Sequence, residues 1–122
     1  MTANNTLSIR PFIGAKDYAL SSSFYREVGF TGMIIGEKLT FFKLGGTGFY
    51  LQDYYVKDWV DNTMLFLEVE DADAFLDELR GKDLPNQFPG ARLSDLVIRD
   101  WGREFFLHDP AGVLWHIGTF TG

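Results

Sequence analysis

Apolar and polar positions alternate with two different periods along this chain, and the switches between them mark its elements. After Asp17, the residues Leu20, Phe24 and Val28 fall at i, i+4 and i+8, one face of a predicted helix that stops at Gly29. After Asp71, a second stripe of Ala72, Phe75, Leu76 and Leu79 predicts another helix, stopping at Gly81. The two aspartates are the expected N-caps, since a carboxylate there accepts from the unpartnered amides of a first turn. Each helix is only about a dozen residues long, too short to persist in water without packing against something else.

Elsewhere the period is two, which predicts strands near 7–14, 31–36, 38–44, 47–53, 63–70, 93–99, 103–108 and 113–119. Gly45-Gly46 and Asp109-Pro110-Ala111-Gly112 are turn chemistry, and 82–91, with its prolines, reads as an irregular connection. The order is strand, helix, three strands, and then the same again. The predicted class is therefore α+β: two βαβββ modules, about 7–60 and 61–120, with curved mixed sheets and one helix per module, in a single domain covering 1–122. A faint echo accompanies this order, because Phe41-Phe42 and Phe105-Phe106 stand at the same distance before Gly48 and Gly112.

Alternation also predicts which way side chains point. Leu65, Leu67 and Val69 form one apolar row and should face a helix, leaving Met64, Phe66 and Glu68 on the open face. Val113, Trp115 and Ile117 should likewise face inward, with Leu114 and His116 outward. Phe49 and Leu51 point in while Tyr50 and Gln52 point out; Ile9 and Ile13 point in while Arg10, Phe12 and Gly14 point out. Helices cover one face of each sheet, so the opposite faces are where a ligand would sit.

Composition removes several function classes. With no cysteine, disulfides, thiolate nucleophiles and cysteine-held zinc are excluded. A net charge of −6 argues against nucleic acid as a partner and suits a soluble chain or a cationic ligand. No apolar run approaches a membrane span, and the polar start at Met1–Thr6 is unlike a secretory signal, so a cytoplasmic protein with no membrane partner is expected. Ser21-Ser22-Ser23 has no neighbouring histidine in sequence to activate a nucleophile, and Gly45-Gly46-Thr47-Gly48 lacks the lysine of a phosphate loop. Arg103 and Glu104 read as a surface ion pair, and His108, before the turn, as a solvated histidine. The connection 53–61, rich in aromatics and acids, fits either a cleft rim or dimer contact or a flap over its own core.

The run Trp101-Gly102-Arg103-Glu104-Phe105, then Asp109-Pro110-Ala111-Gly112 and His116, resembles the C-terminal signature of the bleomycin-binding resistance proteins. Asp61-Asn62-Thr63, Pro11, and Asp17 followed by Phe24 and Gly29-Phe30 resemble the same proteins, members of the glyoxalase/bleomycin-resistance/dioxygenase (vicinal oxygen chelate) superfamily. The resemblance covers nearly the whole chain. It implies paired βαβββ modules and a homodimer with clefts at the subunit interface, where a cationic glycopeptide with a planar bithiazole is sequestered without chemistry. Antibiotic binding and resistance follow as the implied role.

Enzymes of that superfamily hold a divalent metal from the first, fourth, fifth and last strands, positions that here fall on Arg10, Tyr50 or Gln52, Met64 and His116. Arginine has no lone pair to give and a thioether suits hard metals poorly, so no metal, no cofactor and no catalytic residue is expected. For His116 three roles stay open: metal ligand, hydrogen bonder to a ligand, or plain strand histidine. The expected ligand-binding set is Trp101, Phe66 and Tyr50 for stacking or apolar walls, Glu68 for charge, and Gln52 and His116 for orientation. Phe66 and Glu68 stand where the bleomycin-binding proteins show tryptophans, and Leu39 where they carry an aromatic. The competing expectation is a metal-dependent lyase, isomerase or dioxygenase on the same fold.

Overall fold

The computed structural model describes residues 5–121, so the Met1–Asn4 portion of the polar start lies outside the described residues. The elements run β1 (Phe12–Gly14), α1 (Tyr18–Val28), β2 (Thr31–Gly36), β3 (Leu39–Leu44), β4 (Thr47–Gln52), α2 (Lys57–Asp61) and β5 (Met64–Glu68). They continue with α3 (Ala72–Arg80), α4 (Leu84–Gln87), β6 (Arg92–Leu93), β7 (Val97–Arg99), β8 (Gly102–His108) and β9 (Leu114–Phe120). The architecture is α+β, with two sheets of the same plan. One has the order β1-β4-β3-β2; the other has β5-β9-β8-β6, with β7 also on β8. In each, the first strand runs parallel to the last and the remaining pairs are antiparallel.

Both caps form as the sequence predicts: Leu20 N–H donates to Asp17 and Ala74 N–H to Asp71, each at 3.1 Å. The inward rows pack into one core, in which Phe24, Leu76, Leu79, Phe49, Leu51, Leu67, Trp115 and Ile117 are buried. Tyr25, buried in α1, ties the two halves together. Its hydroxyl donates to Asp109 at 2.6 Å and accepts from the Trp115 indole N–H at 3.0 Å.

Several expectations are corrected. The first strand covers Phe12–Gly14 rather than 7–14, and Ile9 is 93% exposed instead of buried. Proline has no N–H to continue a ladder, and Pro11 contributes only its carbonyl, which accepts from Tyr50 N–H. The strand predicted at 93–99 is two short pieces. Ser94 interrupts it, donating N–H to the Phe106 carbonyl while its hydroxyl accepts from Phe106 N–H, so a side chain replaces a backbone partner. Two short helices, α2 and α4, form where connections were expected, α4 with proline in its first turn. The phenylalanine echo is not a structural equivalence. Phe42 and Phe105 point to the core, whereas Phe41 and Phe106 lie on open faces, so the matched residues face opposite ways. The likeness of the two sheets lies in strand order.

Candidate functional site

The open face of the second sheet is built by alternation from Met64, Phe66 and Glu68 on β5, His116 and Phe120 on β9, and Glu104, Phe106 and His108 on β8. Phe66 lies at its centre. It meets Trp101 at 5.8 Å and Phe120 at 5.5 Å between ring centroids, and Trp101 and Phe120 meet at 4.9 Å. Gly118 makes this close layer possible, since a Cβ there would stand 2.9 Å from the Phe66 ring tip. Phe66 stays 44% exposed and Phe120 53%, so the cluster is a surface platform rather than core. Trp101 sits in the turn directly before β8.

Beside the platform lies a charged group that the sequence reading missed. Glu104 is only 4% exposed, accepts from Arg99 Nε at 2.9 Å, and pairs its other oxygen with His116 Nδ1 at 2.9 Å. Burial alone would push its carboxyl up; the hydrogen bonds from His116 and Arg99 outweigh that and hold it below the ordinary 4.5. The expected Arg103–Glu104 pair does not exist, because neighbours on a strand point to opposite faces. Arg103 instead pairs with Asp73 on α3 at 2.8 Å. His108 is half-buried rather than solvated, and burial, with Arg92 nearby, lowers its pKa below 6.5.

The other expected site residues belong to a different surface. Tyr50 and Gln52 lie on the open face of the first sheet with Phe12 and Phe41. Tyr50 stacks on Phe12 at 4.9 Å and accepts from Arg10, whose guanidinium also covers the Phe41 ring at 4.0 Å. Gly48 lets Phe41 lie close over β4, as Gly118 does for Phe66. Thus Phe66, Trp101 and His116 come together, with Glu68 on the same strand face, while no hydrogen bond or ring contact among the described residues joins them to Tyr50 or Gln52. A concavity of about 580 Å³ on the first face runs between residues 7–10 and Met33, Phe41 and Lys43. Another, of about 450 Å³, opens on the second face between Arg92, Phe106, His108 and Leu114.

The donor set does not fit a divalent metal. Arg10 is occupied with Tyr50 and Phe41, Met64 offers only sulfur, and His116 is a lone imidazole committed at Nδ1 to Glu104. Among the described residues, no three His, Asp or Glu side chains gather as a metal-holding group. The aromatic-rich connection divides: Val60 packs into the core and Tyr55 against it, while Tyr54 and Trp59 remain exposed and face each other at 6.0 Å. Among the described residues, no helix is long and apolar enough to cross a membrane.

No family model matches the sequence, and neither does any curated protein. Solved structures do match. The bleomycin-binding protein of bleomycin-producing Streptomyces verticillus, complexed with copper(II)-bleomycin, is similar at TM-score 0.79 and 24% identity, covering 95% of this chain and 98% of that one. A bleomycin resistance determinant encoded on the transposon Tn5 is similar at TM-score 0.81 and 16% identity, covering 96% and 100%. A lactoylglutathione lyase from Agrobacterium tumefaciens is similar at TM-score 0.67 and 18% identity, covering 93% and 94%. A binding protein and a lyase are thus both similar to this backbone, so the fold by itself does not choose between the two activities. The chain has the glyoxalase/bleomycin-resistance fold.

Proposed function

We propose that this chain binds a planar, cationic small molecule of the bleomycin class without transforming it, at a cleft that a second copy of the chain completes. The observation that carries this reading is the exposed aromatic platform of Phe66, Trp101 and Phe120 beside His116, with the Glu68 carboxylate on the same strand face. Flat rings stack on such a surface, and a carboxylate offsets a positive tail. The lyase reading has less support, because Arg10 and Met64 are poor donors and only His116, with Gln52 at most, is left at the metal positions.

A homodimer is supported by the apolar surface left uncovered in one chain. Leu7 and Ile9 are almost fully exposed, and Phe12, Met33, Met64 and Phe66 stand out from the two open faces. In a dimer, the platform of one protomer and the Tyr50–Gln52 face of its partner would form the two walls of one cleft. Sequestration in the cytoplasm, and hence antibiotic resistance, is the role assigned.

Titrating metal-free bleomycin should quench tryptophan fluorescence saturably, with half-saturation at about 10 μM or below. Trp101→Phe should lose most of that signal and weaken binding, since Trp59 and Trp115 lie outside the platform. An unchanged spectrum at millimolar bleomycin would remove this ligand class.

A further inference from the structure

We propose that Glu104 fixes the ring of His116 so that Nε2 presents a lone pair on the open face of the second sheet, and that this subsite takes a flat aromatic ring bearing an N–H donor. The proposal rests on the small-molecule-binding reading above and narrows it to a ligand chemistry.

Three strands build the arrangement. Arg99 on β7, Glu104 on β8 and His116 on β9 share one face, and both oxygens of the buried carboxylate are taken by the other two side chains. At neutral pH Glu104 is ionised and can only accept hydrogen bonds. His116 Nδ1 must therefore carry the hydrogen between them. In the neutral ring that leaves Nε2 as the acceptor, and no described residue donates to it. A histidine without such a partner divides between two tautomers; this one is committed to one. Glu104 is a positioning residue, acting on ligand only through His116.

The surroundings decide which ligand can use that lone pair. The Phe106 ring stands edge-on to His116 at 5.0 Å, and the Phe66 ring runs nearly parallel to it, 19° between planes at 6.4 Å. A ligand reaching Nε2 meets aromatic surface on its flanks, which favours a flat ring over a flexible chain. Arg99 is already neutralised by Glu104, so an anion finds no free charge in this group. Glu68, two residues along β5 from Phe66 on the same face, disfavours an anion further. The ring of His116 is 26% exposed, enough for its free edge to be reached.

The test uses the full chain, which has two histidines, labelled in the imidazole nitrogens. At about pH 8.5, where an ordinary imidazole is neutral, the nitrogen shifts of His116 should report hydrogen on Nδ1 and a bare Nε2. Benzimidazole should bind about five-fold more tightly than N-methylbenzimidazole, which keeps the flat ring and loses the donor. In Glu104→Gln that preference should fall towards unity while N-methylbenzimidazole keeps its affinity, which also reports that the platform is folded. Hydrogen on Nε2, or equal binding of the two compounds by the wild-type chain, overturns the proposal and leaves the aromatic platform standing. If neither compound binds, the platform and the proposal fall together.

Discussion

Two buried carboxylates in this chain have opposite relations to their surroundings. Asp109 begins the turn before β9 and is fully buried; one oxygen accepts from the amides of Ala111, Gly112 and Val113 at 2.9 Å each, the other from Tyr25. Every one of those partners belongs to the fold. Glu104, on the open face of the second sheet, accepts only from side chains, and one of them keeps its other nitrogen free for something outside the protein. Burial and hydrogen bonding are thus the same in kind at both places. What differs is whether the network closes on itself, as around Asp109, or ends at a group facing solvent, as at His116. The second arrangement is the one on which the proposed subsite is built.

The largest effect should come from breaking the closed network. Asp109→Ala leaves the amides of Ala111 and Val113 and the Tyr25 hydroxyl without their acceptor in a water-excluded place, while Gly112 N–H keeps the backbone carbonyl of residue 109, and should lower unfolding free energy by about 3 kcal/mol. Chemical denaturation measures this directly, and Asp109→Asn, which keeps an oxygen for the amides, should lose clearly less. A loss below about 1 kcal/mol for the alanine variant would mean that the turn does not depend on its carboxylate. Next in size is Tyr25→Phe, which removes the hydroxyl that joins α1 to the turn and to Trp115. Burial and the charge of Asp109 push the Tyr25 pKa well above 10, so this hydroxyl is a donor throughout the working range. Its removal should cost about 1–2 kcal/mol in the same assay, with the backbone bonds of Asp109 retained.

Much of this contrast was invisible in the sequence, and the reason is geometrical. Alternation correctly placed Phe66, Glu68, Tyr50, Gln52 and His116 on open faces, because a strand has only two sides and the apolar rows name one of them. It also read the turn at 109–112 and both helix caps. It could not see that Glu104 and His116 meet, since that depends on the register of β8 against β9, which pairs Glu104 with Gly118 and Phe106 with His116. The small side of Gly118 leaves room for Phe66 there, and Glu104 reaches His116 diagonally, two positions along the ladder. A signal did exist: residues 102, 104, 106 and 108 share a face, so Glu104 had to sit on the open side with His116 and apart from Arg103. Ile9 is misplaced for a different reason: its apolar character speaks for burial, but the strand begins only at Phe12, after Pro11, and leaves Ile9 outside the ladder.

The finest test of the contrast is its sign against pH. The Glu104 pKa is depressed, so the stability linked to it is fully present above the ordinary 4.5 and is lost as pH falls through the lower folded value. Asp109 is the reverse case: burial pushes it above the ordinary 3.8 despite the hydrogen bonds from Tyr25 and the three amides. Its linked contribution is fully present below 3.8 and is lost as pH rises through the folded value. Stabilities of the wild type, Glu104→Gln and Asp109→Asn should therefore be compared from about pH 6 down to about pH 3. The advantage of the wild type over Glu104→Gln should shrink across that range, while its advantage over Asp109→Asn should grow. Two difference curves with the same slope would mean that the carboxylates are not opposed, and that Glu104, like Asp109, serves the fold before it serves the face on which His116 stands.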